Sequence, residues 1–436
     1  MNGINLKKST SHRNHKFQEI IAVLGLRKMF VMLLLGFSSG LPLLLTLSTL
    51  AAWYTQAGIE TKDIGFLSLI SVPYTFKFLW APLMDRFSLP FLGRRKGWIL
   101  LMQILLIIFV FSNGFFTPNE HPWILATLNF IIVFLSATQD ININAYQADI
   151  LKPNERALGG AISTLGYRVA MFISGGGSLL LAATFSWSIA FFVIALLFII
   201  GIFATLIAPN PQNEIQHTPK SLYDAVIFPF LEFFNRYTKK TAIFTLFIII
   251  FYKLGDQLAF ALNTTFFLRG LGFSLTEVAI AFKISALIFT LLGTLTGGII
   301  IRFIGVFKGL LYFSFIMALA NLMYMILALT GKNFMLMTIS VAIEYFAGGL
   351  GSSAFLAFLF SLCNQNYSAT QFALFSSLDS LGRVFIGPFA GFIAEYLGWA
   401  SLFLTSTIIG IIVSISLIFS HHAFSKMTNE EAQQTK

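Results

Sequence analysis

ALGGAISTLG, residues Ala157 to Gly166, runs on into Tyr167-Arg168-Val169; ALFSSLDSLG, residues Ala373 to Gly382, runs on into Arg383-Val384. The two stretches lie about half a chain apart and each opens a long apolar segment, as an internal duplication would. A second pair has nearly the same offset: Gly58-Ile59 followed by Asp63-Ile64, and Gly272-Phe273 followed by Glu277-Val278. Two mostly hydrophobic halves repeated in parallel are one sequence pattern of secondary transporters.

The composition points to a bilayer. At 57% hydrophobic and 11% charged residues, with a mean hydropathy of +0.81, the chain has more apolar surface than a soluble fold of its size can hide. Apolar runs long enough to cross a bilayer fall near 29–52, 64–83, 98–116, 123–143, 157–183, 187–208, 242–266, 277–301, 309–329, 334–360, 372–394 and 399–420. The expected fold is an all-α integral membrane protein of about twelve helices in two parallel six-helix repeats. It divides into an N-terminal segment 1–28, a bundle 29–208, a linker 209–241, a second bundle 242–420 and a tail 421–436.

A net charge of +10 suggests nucleic acid until it is placed on this topology. Lys7, Lys8, Arg13, Lys16, Arg27 and Lys28, then Arg86, Arg94, Arg95 and Lys96, then Lys152 and Arg156, then Lys220, Arg236, Lys239 and Lys240, then Arg302 and Lys308 fall on one side; Lys62, Arg269 and Lys332 fall on the other. The positive-inside rule makes both termini and the linker cytoplasmic. The basic excess therefore sets topology and touches anionic lipid; no nucleic-acid partner is expected. The first 28 residues lack a cleavable apolar core, so the first run reads as a retained span. Cys363 has no partner for an internal disulfide and reads as a small core residue.

Ionisable residues inside spans are costly and mark function by default. The first span carries Gly36 and Gly40 at a helix-packing interval. Thr61 and Asp63 can cap the second, which contains Lys77. In the fourth, Ser136, Asp140, Asn144 and Gln147 form one polar stripe expected to face a central cavity. Arg168 lies in the fifth, before Gly175-Gly176-Gly177, which suits close packing. Residues 222–234 suggest a helix along the membrane face. Lys253 and Asp256, at i and i+3, can pair across one turn of the seventh span. Lys283, Glu344, and Asp379 with Arg383 complete the set, and Arg383 aligns with Arg168.

The loop Asp85-Arg86 to Gly93-Arg94-Arg95-Lys96 resembles the signature loop of the major facilitator superfamily; the second half has Ile301 where the acid would stand. That likeness implies a cytoplasmic gate of Asp85, Arg86, Arg94 and Arg95, latching the halves in the outward-open state. The runs TQDININA (138–145), ISTLGYR (162–168), YKLGDQ (252–257), NTTFFLRGLGF (263–273), SLCNQNYSATQFALFSSL (361–378) and LGRVFIGPFAGF (381–392) resemble AmpG-type muropeptide permeases from Gly36 to Thr405. The resemblance implies proton-driven import of disaccharide anhydromuropeptides across the bacterial inner membrane, by a monomer with no cofactor or metal. Lys77, Arg168, Lys253 and Arg383 are then candidates for substrate carboxylates, and Asp140, Asp256, Glu344 and Asp379 for protons. Two departures stand out: relatives often carry a second acid where this chain has Asn144, and longer ones continue with further spans beyond the position of Ser420.

Competing classes fare worse. No GxxxxGK[ST] run exists for an ATP-driven pump. A membrane enzyme needs a reactive cluster, yet His12, His15, His121, His217, His421 and His422 all lie outside the spans without metal-ligand spacing. A transporter of another solute on the same fold remains the alternative.

Overall fold

The computed structural model describes residues 27–87, 89–90, 92–151, 155–210, 234–236, 239–280, 285–362 and 368–419. Lys283, Cys363, most of the linker with its expected surface helix, and both tails lie outside these residues. The described chain crosses the layer twelve times: α1 (Arg27–Gln56), α2 (61–86), α3 (Arg94–Asn113), α4 (Pro122–Ile150), α5 (156–184), α6 (Trp187–Ile207), α7 (Lys239–Gly270), α8 (Leu275–Glu277 leading to Ser285–Ile304), α9 (Val306–Thr330), α10 (Phe334–Leu362), α11 (Ser368–Leu397) and α12 (Trp399–Phe419). The α6–α7 connection defines a linker end. The hairpins at 57–60 and 271–274 define the opposite, distal end.

Among the described residues, ten of these crossings are long and apolar enough to span a membrane. The other two are α2 and α11, and they pack against each other between the halves. Their positions explain their composition. α2 is broken by 3₁₀ turns at Leu67–Ser71 and Lys77–Leu79 and holds Pro73 and Pro82, while α11 holds Asp379, Arg383, Pro388 and Glu395. A helix facing protein rather than acyl chains can keep such residues.

Glycine sets how closely helices approach. A Cβ on Gly36 would stand 2.1 Å from the carbonyl oxygen of Ser163, and one on Gly166 would stand 2.0 Å from that of Leu33. The GxxxG interval of α1 thus packs backbone to backbone on the duplicated motif of α5, as small residues in membrane helices allow. The repeated glycines have a separate cause: Gly58 and Gly272 have φ of +83° and +70°, and Gly93 and Gly305 have +78° and +84°. Each pair occupies the same turn in the two halves, where a side chain would be strained.

The capping expectation at α2 needs correction. Its N-cap residue is Glu60, and no side chain of the segment caps it. The backbone N–H of Thr61 donates instead to Glu395 Oε2 on α11, at 3.0 Å. The orphan donor of the helix start is satisfied from the other half of the chain.

Candidate functional site

A cavity of about 300 Å³ lies between the halves, lined by α1, α2 and α5 on one side and by α7, α8, α10 and α11 on the other. Arg168 and Arg383, the equivalent members of the duplicated motif, both line it. Among the described residues neither has a carboxylate within ion-pair distance; the nearest polar contact of Arg168 is the Met171 Sδ at 4.0 Å. Two guanidinium groups aimed into one cavity without counter-charge form a ready site for an anion.

The first half contributes a polar cluster beside it. Asp140 accepts a hydrogen bond from Ser39 on α1, and Lys77 lies close enough for its charge to act on that carboxylate. Ser136, one turn away, accepts from the Tyr74 hydroxyl at 2.8 Å. Tyr74 and Tyr167 lie near both Asp140 and Arg383, so this cluster sits beside the interface with the second half. The expected stripe is only partly buried: Ser136 is buried, Asp140 half-buried and Asn144 exposed. None of the four stripe residues, Ser136, Asp140, Asn144 and Gln147, is in the lining of this cavity; contrary to the expectation that it faces the cavity, the stripe lies beside it rather than in its wall.

The second half carries the deepest acids. Asp256 is 7% exposed and Glu344 is fully buried. Asn321 Nδ2 donates to Asp256 Oδ1 at 3.2 Å, but neither carboxyl oxygen of Glu344 has a hydrogen-bond partner among the described residues. Each acid lies in the field of the other. The expected Lys253–Asp256 ion pair does not form. α7 breaks at Tyr252-Lys253, and the ammonium stands 4.9 Å over the Phe355 ring, a cation–π contact, while remaining near enough for its charge to act on Asp256. Asp379 and Arg383 likewise form no ion pair: Arg383 faces the cavity, and Asp379 Oδ1 is buried without a hydrogen bond.

Above the cavity the distal end is sealed. Arg269 donates to the Thr55 carbonyl at 2.9 Å and to Thr61 Oγ1 at 3.3 Å; Thr55 and Thr265 hydroxyls meet at 3.0 Å. Farther from that end, α2 and α11 also touch at the level of the cavity and beyond it: Ser68, which lines the cavity, donates to the Val384 carbonyl at 2.7 Å, and the Thr75 and Ser380 hydroxyls meet at 2.6 Å. A Cβ on Gly65 would stand 2.5 Å from the Gly387 carbonyl oxygen. Only glycine permits α2 and α11 to close so far.

The profile of the Major Facilitator Superfamily matches residues 29–387. The chain belongs to this superfamily. Within it the transporter is 44% identical over 377 residues to the anhydromuropeptide permease of Escherichia coli K12, a match covering 86% of this chain and 76% of that one. It is 32% identical over 394 residues to the putative transporter AmpG 4 of Rickettsia conorii, covering 88% and 94%. These relatives place it in the AmpG-type branch. Two solved structures share the fold at low identity. A POT family transporter in complex with 5-aminolevulinic acid has a TM-score of 0.69 at 14% identity, covering 90% of this chain and 96% of that one. A bacterial homologue of the lysosomal transporter Spinster, inward-facing, has 0.67 at 16%, covering 93% and 97%.

At the transporter's linker end, Arg95 Nε stands 3.5 Å from Asp149 Oδ2 at the end of α4, within the first half. Arg94 begins α3 beside it, and the side chains of Asp85 and Arg86 lie outside the described set. Sequence reading missed Tyr74, Gln257, Phe260, Asn263, Asn321 and Tyr345 as parts of the transporter's interior. Asn321 and Asn263, amides inside apolar spans, carried the signal that singled out Glu344. Phe260 and Tyr345 carried none, because an aromatic at helical spacing looks the same in a core and on a cavity wall.

Proposed function

We propose that this protein imports anhydromuropeptides across the bacterial inner membrane by alternating access, coupled to protons. The observation that carries this reading is the convergence of Arg168 and Arg383 on one cavity. A peptide stem offers carboxylates, which guanidinium groups bind in bidentate fashion, and the E. coli relative is named for a substrate of this kind. The linker end is cytoplasmic by the distribution of Lys and Arg, so the distal seal is the periplasmic gate. Bundles 29–208 and 242–420 rock about the cavity as a monomer. Asp85, Arg86, Arg94 and Arg95 serve the opposite gate when the periplasmic one opens.

Asp256 and Glu344 carry the proton. Burying one unpaired carboxylate costs several kcal/mol, and two as neighbours more. Glu344, with no hydrogen-bond partner among the described residues, is the less supported of the two, since Asp256 has Asn321; Asp140, with Ser39 and Lys77 to hold its charge, suits positioning. Asp379 and Lys253 serve the pathway around this pair.

The test is uptake of labelled anhydromuropeptide by a permease-deficient bacterium expressing this chain, with and without a protonophore. Uptake that collapses with protonophore supports the reading. Confirmed insertion with no entry of any sugar-containing wall fragment sinks the substrate assignment, and uptake that follows sodium instead sinks the proton.

A further inference from the structure

The cavity lining is lopsided. The first-half wall is apolar, with Met171 and the single ring of Phe172 among its aliphatic residues, apart from Arg168 and the hydroxyls of Ser48 and Ser68, whereas the second-half wall carries Gln257, Asn263, Thr290 and the aromatic pair Phe260 and Tyr345. Phe260 on α7 and Tyr345 on α10 stack with ring centroids 4.9 Å apart and planes 27° apart. Asn263, one turn along α7 from Phe260, is 2% exposed and lies beside the hydroxyls of Tyr345 and Tyr324. Gln257, one turn the other way, donates to the Asp379 carbonyl at 3.4 Å, and its own Oε1 is buried without a hydrogen-bond partner. An aromatic platform is thus flanked on both sides by primary amides, and the buried oxygens of both, Gln257 Oε1 and Asn263 Oδ1, lack a hydrogen-bond partner among the described residues.

We infer that this second-half wall is a sugar subsite, in which the Phe260–Tyr345 pair stacks on a pyranose ring while Gln257 and Asn263 bind its hydroxyl and N-acetyl groups. The inference rests on the proposed substrate class and deepens it by giving the ligand a direction in the cavity. A pyranose presents a face of C–H bonds and an equator of hydroxyls. The electron-rich face of an aromatic ring attracts the first, and an amide with both donor and acceptor matches the second. A buried amide oxygen without a partner costs free energy that a ligand donor can recover. The first-half wall has no amide, and Phe172 is its single ring. The sugar therefore lies against α7 and α10, and the peptide stem extends toward Arg168 and Arg383, where its carboxylates are met.

The experiment measures binding of two ligands to the purified full-length transporter: the peptide-free anhydro-disaccharide, and the free stem peptide. Phe260→Leu, which removes the ring face at similar bulk, should weaken disaccharide binding by about tenfold and change peptide binding by less than about twofold. Phe260→Tyr, which keeps the ring, should restore disaccharide binding to within about twofold. Arg383→Gln should show the opposite selectivity. Should Phe260→Leu fail to fold, Gln257→Ala reads the same subsite through its amide, with the same expected selectivity. Disaccharide binding unchanged in Phe260→Leu or in Gln257→Ala overturns the subsite while leaving import intact. So does a wild type that imports the whole muropeptide but binds only the peptide. A wild type that takes up no wall fragment at all overturns the substrate class as well, and the uptake assay separates the two failures.

Discussion

Glu395 caps a helix that begins 334 residues before it: its Oε2 accepts the backbone N–H of Thr61 at 3.0 Å, at the start of α2. The carboxylate also sits at the positive end of that helix. The bond joins the two halves at the distal end, beside the Arg269 contacts to Thr55 and Thr61. Because it spans the two halves, it should act on the closure of that end rather than on the folding of either half alone.

Glu395→Gln should therefore shift the transporter toward the distally open state. A capping interaction is worth about 0.5–2 kcal/mol, so the open population should rise by roughly two- to thirtyfold. In a Cys363→Ser background carrying Ala261→Cys in the cavity wall, labelling by a membrane-impermeant thiol reagent from the distal side should speed up accordingly. An unchanged labelling rate would show that the cap does not govern the gate.

Gly65→Val tests the same gate by sterics. Its first added carbon would stand 2.5 Å from the Gly387 carbonyl oxygen and 3.0 Å from the Gly391 Cα, and both are backbone that cannot turn aside. The variant should insert normally, label rapidly from the distal side and lose net uptake. Normal transport by Gly65→Val would mean that α2 and α11 need not approach this closely.

Arg383→Lys keeps the charge but loses the planar fork that matches a carboxylate. With a charge-assisted hydrogen bond worth about 1.5–3 kcal/mol, the KM for labelled anhydromuropeptide should rise by about ten- to a hundredfold. A substrate analogue with amidated stem carboxylates should bind the wild type and this variant alike. Equal loss for both ligands would make the role of Arg383 structural.

Glu344→Gln removes the proton carrier while keeping the shape of the side chain. It should retain exchange of labelled for unlabelled substrate and lose protonophore-sensitive accumulation. Asp140→Asn, which leaves Asp256 and Glu344 in place, should keep its protonophore sensitivity. The reverse pattern would move the coupling role to the first half.

Reporters fused after Gln212 and at the C-terminus should both report cytoplasm, and one at Asn119 periplasm. The charge alternation that sets this is strong. A periplasmic signal at Gln212 would break the two-bundle arrangement.

The helical fold and its duplication were legible in the chain alone. Hydropathy over a bilayer's thickness marks a span whatever its neighbours do, and repeated glycines mark repeated turns; Gly58 and Gly272 share a positive φ because the same turn was built twice. Arg168 and Arg383 could be paired by alignment for the same reason. What lies opposite a residue across the interface is not local, and only the tertiary structure decided it. Thr61 is capped by Glu395 rather than by itself, and Lys253 stands over Phe355 at the break in α7. Likewise, Phe260 and Tyr345 form a cavity wall rather than a core. Periodicity tells which residues leave water; which buried surface meets another helix and which meets a cavity depends on how the two halves are set against each other.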